Sequence, residues 1–164
     1  MIQGTTRLVF LAFFISHIPI TLLVDGQAFL PREWYPQNLI NVVDWYAVTF
    51  KDKLMTHPTE PWFTSLVSIE IVFQLPFFFY AVYSILKNKF GPYFRPLSIV
   101  YGASTSTTLV PILASITTDD NTKIAEKGVL LGFYLPYLIF PLWLTILAIF
   151  DEGMCVNPES KKNK

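Results

Sequence analysis

The chain has 164 residues, of which 52% are hydrophobic and 15% charged. Soluble domains carry about 25% charge, so the balance indicates one integral membrane domain and not a soluble one. Net charge is zero with no basic block, which excludes nucleic acid as a partner class. The single cysteine, Cys155, and two histidines form neither an intrachain disulfide nor a recognisable metal set; no metal and no cofactor are expected.

Four apolar stretches approach or exceed the roughly 20 residues that cross a bilayer: Leu8–Val24, Trp62–Leu86, Leu97–Thr117 and Gly128–Phe150. The first is short and broken by Ser16-His17-Ile18-Pro19, and no small-x-small cleavage site follows it, so it reads as a retained helix and not a signal peptide. The long loop Gly26–Pro61 is studded with aromatics, and Ile40, Val43, Tyr46 and Ala47 recur at helical spacing. That pattern predicts a short amphipathic helix near Leu39–Phe50, lying over the bundle or at the membrane interface. The second span holds one charge, Glu70, with Gln74 a turn later and then Pro76. A carboxylate at membrane depth costs a few kcal/mol even on lenient scales and marks a functional site by default. The third span carries the run Ser104–Thr108, which more often glues helices together than forms a site. The fold expected is an all-α membrane protein, a four-transmembrane-helix bundle of one domain, with residues 151–164 as a polar tail.

Arg7, Lys87, Lys89 and Arg95 flank one side of these spans, and Lys161, Lys162 and Lys164 end the chain; cations in the other loops are diluted by acids. The positive-inside rule therefore places both termini in the cytosol. There the final Lys161-Lys162-Asn163-Lys164 fits a dilysine address for retrieval to the endoplasmic reticulum; the plainer reading is a solubilising tail.

This orientation allows a depth count. At about 1.5 Å per residue, His17, Glu70 and Thr108 fall roughly 12–13 Å from the lumenal ends of their helices, with Tyr134 and Tyr137 about 9–14 Å down. Gln74 lies a turn deeper on the Glu70 face, and Asp25 stands above at the mouth. Each span also contains proline: Pro19, Pro76, Pro111, and Pro136 with Pro141. Proline removes a ladder bond and bends a helix, so the four helices are expected to bulge around a polar-floored chamber walled by Phe73, Phe77, Tyr101 and Phe133. Taken singly, His17 is more often a hydrogen-bonded interior residue, a tyrosine a packing residue, and Gln74 an interhelical clamp.

If Asp25 and Glu70 approach each other, both cannot stay ionised cheaply, and they share a proton. Glu70, the deeper, is the better candidate for the neutral form, leaving Asp25 as the anion. Such an anion above an apolar chamber suits an amine with a greasy body, aided by aromatic faces. The same layout serves proton transfer to and from a lipid double bond.

The residues also carry a likeness. Ser16-His17-Ile18-Pro19-Ile20-Thr21-Leu22 followed by Asp25 and Gln27-Ala28, Leu30-Pro31-Arg32-Glu33, Trp45-Tyr46 and Phe50-Lys51-Asp52 resemble the first span and loop of the sigma-2 receptor branch of the EXPERA-domain family. Glu70-x-Val72-Phe73-Gln74-Leu75-Pro76-Phe77-Phe78, Thr107-Thr108-Leu109-x-Pro111-Ile112-Leu113 and Tyr134-x-Pro136-Tyr137-Leu138 resemble the remaining spans. The resemblance implies an endoplasmic reticulum membrane protein that binds sterols and cationic amphiphiles in an intramembrane pocket and acts in cholesterol homeostasis. It further implies contact with a lysosomal cholesterol transporter and homodimer formation. By position it makes Asp25 the amine-pairing carboxylate, Glu70 its protonated partner and Asp52 a structural acid, with His17, Gln74, Thr108, Phe133 and Tyr137 at pocket positions. Two departures stand out: Phe133 is bulkier than the residue expected there, and Asp119–Lys127 is short.

A sister branch, the emopamil-binding sterol Δ8–Δ7 isomerases, pairs a histidine with a glutamate one turn later and adds a second glutamate on the next span. Here Thr21 follows His17 by one turn, and only Glu70 matches the second acid. Each proton-transfer group contributes on the order of 10²–10⁴ in rate, so the missing acid favours a binding protein over an isomerase. If the protein is an enzyme, Glu70, Asp25 and His17 are its catalytic residues. Four spans without inverted repeats argue against an alternating-access transporter.

Overall fold

The computed structural model describes residues 4–150. The polar tail, with Cys155 and the expected retrieval lysines, lies outside the described residues. In chain order the protein forms α1 (Gly4–Leu23), a 3-10 turn at Asp25–Ala28 and another at Arg32–Trp34, then α2 (Gln37–Phe50) and a 3-10 turn at Lys53–Met55. There follow α3 (Pro61–Ile69), a π-helical turn at Glu70–Gln74, α4 (Leu75–Lys87), α5 (Phe94–Thr118) and α6 (Ile124–Phe150). Four rods are long and apolar enough to cross a membrane: Gly4–Ala28, Pro61–Lys87, Phe94–Thr118 and Ile124–Phe150. The protein is therefore an all-α, multi-pass membrane protein.

Helix ends extend past the apolar stretches because polar caps add turns that hydropathy does not register. The start of α6 is an instance: the Glu126 carboxylate accepts the Lys123 N–H at 2.9 Å, half of a capping box, and the helix begins at Ile124, before the apolar run. At the other end of the first rod, the 3-10 turn carries Asp25 within the last turn of the rod and not in the loop beyond it. The amphipathic loop helix forms as α2, with Val43 and Ala47 buried beneath it and Trp45 and Val48 facing out. It ends at Lys51, whose φ of 60° lets the Asp52 N–H close on the Ala47 carbonyl at 3.0 Å.

The rods pack as two antiparallel pairs, α1 against α4 and α5 against α6. The second pair is close because Gly102 presents no side chain: a Cβ there would overlap Thr145 Oγ1 and approach the Pro141 carbonyl at 2.6 Å. Small residues at such crossings let membrane helices meet backbone to backbone. Two buried clusters result. One, toward the termini, gathers Phe10, Phe14, Phe77, Phe78, Phe94 and Tyr101. The other, toward the long loop, gathers Val43, Ala47, Leu54, Met55, Phe63, Val67, Leu109 and Ile112. Tyr137 packs against both, and the loop-side cluster surrounds a hollow space.

Candidate functional site

A cavity of about 310 Å³ occupies that space. Its wall brings together His17, Asp25, Glu70, Gln74, Thr108, Phe133 and Tyr137, residues drawn from every membrane rod, and adds Ile20, Tyr46, Leu66, Leu109 and Tyr134 among others. Asp52 is not among the lining residues. Two of the expected wall aromatics stand elsewhere: Phe77 and Tyr101 stack on each other at 4.6 Å inside the terminal cluster. Phe77 lies three residues past Gln74 and Tyr101 four residues before Thr105, each about one turn deeper than the chamber floor. Phe73 also falls outside the lining.

Glu70 begins the π-helical turn, in which the Leu75 N–H reaches back five residues to the Glu70 carbonyl. Pro76 explains the location. Proline has no N–H, and its ring crowds the carbonyl four residues earlier, so the hydrogen-bond ladder is reset just upstream. A π turn inserts one extra residue per loop of helix and is frequent at functional sites. Here it sets Glu70 and Gln74 on the chamber wall with different partners. The Thr21 hydroxyl donates to Glu70 Oε1 at 2.5 Å, and His17 Nε2 lies 3.4 Å from the same oxygen. Gln74 Oε1 accepts the Thr105 hydroxyl at 3.1 Å, tying the second rod to the third.

His17 and Thr21 sit four residues apart on α1 and share a face. Both are buried. The imidazole is held by rings: Phe78 stacks on it at 4.5 Å, Tyr137 tilts against it at 4.6 Å, and Phe13 meets it edge-on at 5.2 Å. Within the run Ser104–Thr108, Ser106 and Thr107 bond back to their own helix and Thr105 alone bonds another helix. Thr108 donates to the Thr105 carbonyl at 2.9 Å while lining the chamber.

Asp52 lies beside the chamber and holds its roof. Its carboxylate accepts from Tyr134 at 2.8 Å, Tyr46 at 3.1 Å and the Leu54 N–H at 3.0 Å. The acid thus clasps α2, its own loop and α6 together. Burial pushes the Asp52 carboxyl up from its ordinary value, and the bonds from Tyr134, Tyr46 and Leu54 pull part of the way back. Burial and the Asp52 charge push the Tyr46 phenol up, so it remains a donor. Lys53, the next residue, pairs with Asp119 at 2.7 Å and clasps the end of α5.

The chamber lining contains two carboxyl groups, Asp25 and Glu70, and no lysine or arginine. Donor atoms of His17, Asp25 and Glu70 lie within 4.8 Å of one another. Tetrahedral zinc takes four nitrogen, sulfur or oxygen ligands about 2.0–2.3 Å from the ion, and this cluster supplies three side chains. For a monovalent organic cation the rings of Tyr46, Phe133 and Tyr137 add negative faces to the two carboxyl groups.

Thr21, which bonds Glu70, and Tyr46, which lines the chamber, are residues that the sequence left without a place at the site. Thr21 stood out only for not being an acid. Its spacing from His17 was the signal that it faces the same carboxylate. Tyr46 belongs to the helical face of Val43 and Ala47, which the spacing located without indicating what lay beneath.

The sequence matches the family EBP, described as EXPERA (EXPanded EBP superfamily), over residues 39–148. It is 42% identical over 161 residues to Sigma intracellular receptor 2 of Macaca fascicularis and of Homo sapiens, covering 92% of this chain and 90% of each relative. It is also 31% identical over 150 residues to Efficient mitochondria targeting-associated protein 19 of Schizosaccharomyces pombe, covering 87% of this chain and 76% of that one. Of the polar site residues, Asp52, Glu70, Gln74, Thr108 and Tyr137 fall inside the family match, while His17 and Asp25 lie upstream, in the part covered only by these relatives.

Proposed function

Because the chain belongs to the EXPERA family, the expanded EBP superfamily, we propose that its chamber binds sterols and hydrophobic amines and that the protein serves sterol handling as a receptor-like protein of the endoplasmic reticulum membrane. One observation carries the reading: two carboxyl groups share an aromatic-walled chamber whose lining has no lysine or arginine. The ammonium of an amine pairs with Asp25. Glu70, anchored by Thr21 and His17, is the neutral neighbour that steadies it. Tyr46 and Tyr137 add cation–π attraction, and Ile20, Leu66, Val67, Leu109 and Ile112 receive the apolar body. A sterol hydroxyl uses the same polar floor.

The test is binding of a hydrophobic amine, by thermal shift and radioligand, to the protein in nanodiscs and to Asp25→Asn. Affinity is expected to drop by at least about 30-fold, as when one partner of a buried charge pair is removed; unchanged affinity sinks the reading.

The 3.4 Å approach of His17 to Glu70 supports a second reading, sterol Δ8–Δ7 isomerisation, with Glu70, His17 and Asp25 moving the proton. Thr21 stands where that chemistry wants another acid, so the enzyme is the weaker reading. Membranes containing the protein would be given a Δ8 sterol and assayed for Δ7 product by mass spectrometry. Product that disappears in Glu70→Gln supports catalysis, and none above empty membranes removes it.

For topology we place the terminal end in the cytosol, since Arg7, Lys87, Lys89 and Arg95 flank it. Asp52 and the long loop are then lumenal, and the terminal lysines act as a retrieval address. Glycosylation mapping of α2 and of the α4–α5 loop tests this. Association with a lysosomal cholesterol transporter and self-association accord with the same role, and co-purification tests each.

A further inference from the structure

The chamber wall is closed unevenly. Where α1 faces α6 toward the termini, rings bridge the two helices: Phe10 meets Trp143 at 5.0 Å, Phe13 meets Phe140 at 4.8 Å, and His17 meets Tyr137 at 4.6 Å. Toward the long loop, beyond His17 and Tyr137, no aromatic pair among the described residues joins α1 to α6. There Ile20 and Val24 line the chamber from the first rod, and Phe133 lines it from α6. Phe133 is a wall residue and is also 41% exposed, so it stands at an opening. In a membrane rod that opening faces lipid. Its ring leans on α2 instead of α1, edge to face against Phe50 at 5.0 Å and tilted against Tyr46 at 5.8 Å.

The cavity behind it, about 310 Å³, is at the lower end of the roughly 300–1,000 Å³ typical of small-molecule sites. An exposed aromatic at the mouth of a small cavity limits what passes and what fits. Phe133 is suited to that part: it makes no hydrogen bond, and its contacts are to two rings on a helix that lies over the chamber.

We propose that Phe133 is the size filter of this site, a specificity-determining residue at a lateral mouth between α1 and α6, with Phe50 and Tyr46 as the surface its ring rests on. The inference deepens the amine- and sterol-binding reading and rests on it for the class of ligand. The Phe133 ring sets the largest apolar body that can follow a polar head to Asp25 and Glu70. Slim ligands pass and fit; a four-ring body has to displace the ring.

The experiment uses the full chain in nanodiscs and two amines, 4-phenylbutylamine as the slim probe and 3β-amino-5-cholestene as the bulky one. The readout is the ratio of their dissociation constants. In Phe133→Ala the ratio is expected to move toward the bulky probe by about tenfold or more, the scale on which an apolar pocket discriminates small changes of volume. In Phe133→Trp it is expected to move the other way. A ratio within twofold of the parent in both variants, or a parallel loss of both probes, overturns the filter, since a merely structural ring has no reason to discriminate by size. Asp25→Asn separates the two claims. If it loses both probes while the Phe133 variants leave the ratio unchanged, amine binding stands and the filter falls. If it binds both probes normally while the Phe133 ratios shift, the filter stands and the ion pair falls.

Discussion

Toward the termini, Phe10, Phe14, Phe78, Phe94 and Tyr101 are each 0% exposed, ring packed on ring. Toward the long loop the same four rods stand around a cavity of about 310 Å³. Apart from the π turn at Glu70–Gln74 and the 3-10 turn at Asp25–Ala28, the rods are α-helical on both sides, so backbone geometry alone does not separate these halves. Side-chain volume does. Phenylalanine on α1, α4 and α5 bridges the gap between rods at the terminal end. At the chamber the facing positions are Ile20, Val67, Thr105 and Thr108, which are too short to meet. Lipid tails supply no hydrophobic drive for helices to associate; dispersion contacts therefore hold the plug, while the chamber is held by hydrogen bonds across its edge: Thr21 to Glu70, Thr105 to Gln74, and Tyr46 and Tyr134 to Asp52. One half supplies cohesion and the other supplies a site.

The sharpest way to break this contrast is to truncate each half in turn. Phe78→Ala, in the plug, is expected to lose about 3–5 kcal/mol by thermal unfolding in detergent, together with the ring that stacks on His17. Leu109→Ala, whose side chain already borders empty space, is expected near the lower end of the 2–5 kcal/mol usual for such a change. Equal losses would mean that the cavity is packed in solution. Asp25→Asn should reverse the pattern, with little change in melting temperature and an amine affinity lower by at least about 30-fold. Gly102→Ala probes the α5–α6 crossing that both halves share. The added methyl overlaps Thr145, and overpacking of this kind costs about 1–3 kcal/mol, so both stability and binding are expected to fall. Thr21→Val keeps shape and deletes the donor to Glu70, with an expected loss of about 1 kcal/mol and a measurable weakening of amine binding at an unchanged circular dichroism spectrum.

The smallest effect concerns the clasp over the roof. Lys53 and the Thr122 hydroxyl hold the Asp119 carboxyl below its ordinary value. A lowered native pKa gives stability that is present above the unfolded value and lost as pH falls through the native one. The Lys53–Asp119 contribution should therefore be constant above about pH 5 and fade below about pH 4, a fading absent from Lys53→Met when melting temperature is followed against pH.

The spans and the short loop helix were legible because lipid and helical period impose patterns that a single chain displays. Depth counting also grouped His17, Glu70, Thr108 and Tyr137, since rise per residue is nearly constant. It did not extend to the wall aromatics: Phe77 and Tyr101 lie about one turn deeper than the polar tier, and their rings stack inside the plug. The hydroxyl that bonds Glu70 was beyond reach: Asp25, the expected neighbour, does stand within 4.8 Å, while the short bond comes from Thr21 to an acid set on the π turn upstream of Pro76.

By itself, then, the sequence determined a helical membrane domain with four crossings, an acid at membrane depth, and the polar tier around it, because hydropathy and periodicity are properties of the chain one residue at a time. Only the tertiary structure decided which hydroxyl holds Glu70, that Asp52 clasps the roof from outside the chamber, and that Phe133 stands at its mouth. Those are relations between rods, set by a reset hydrogen-bond ladder, a missing Cβ at Gly102 and the unequal reach of phenylalanine and threonine across the same gap.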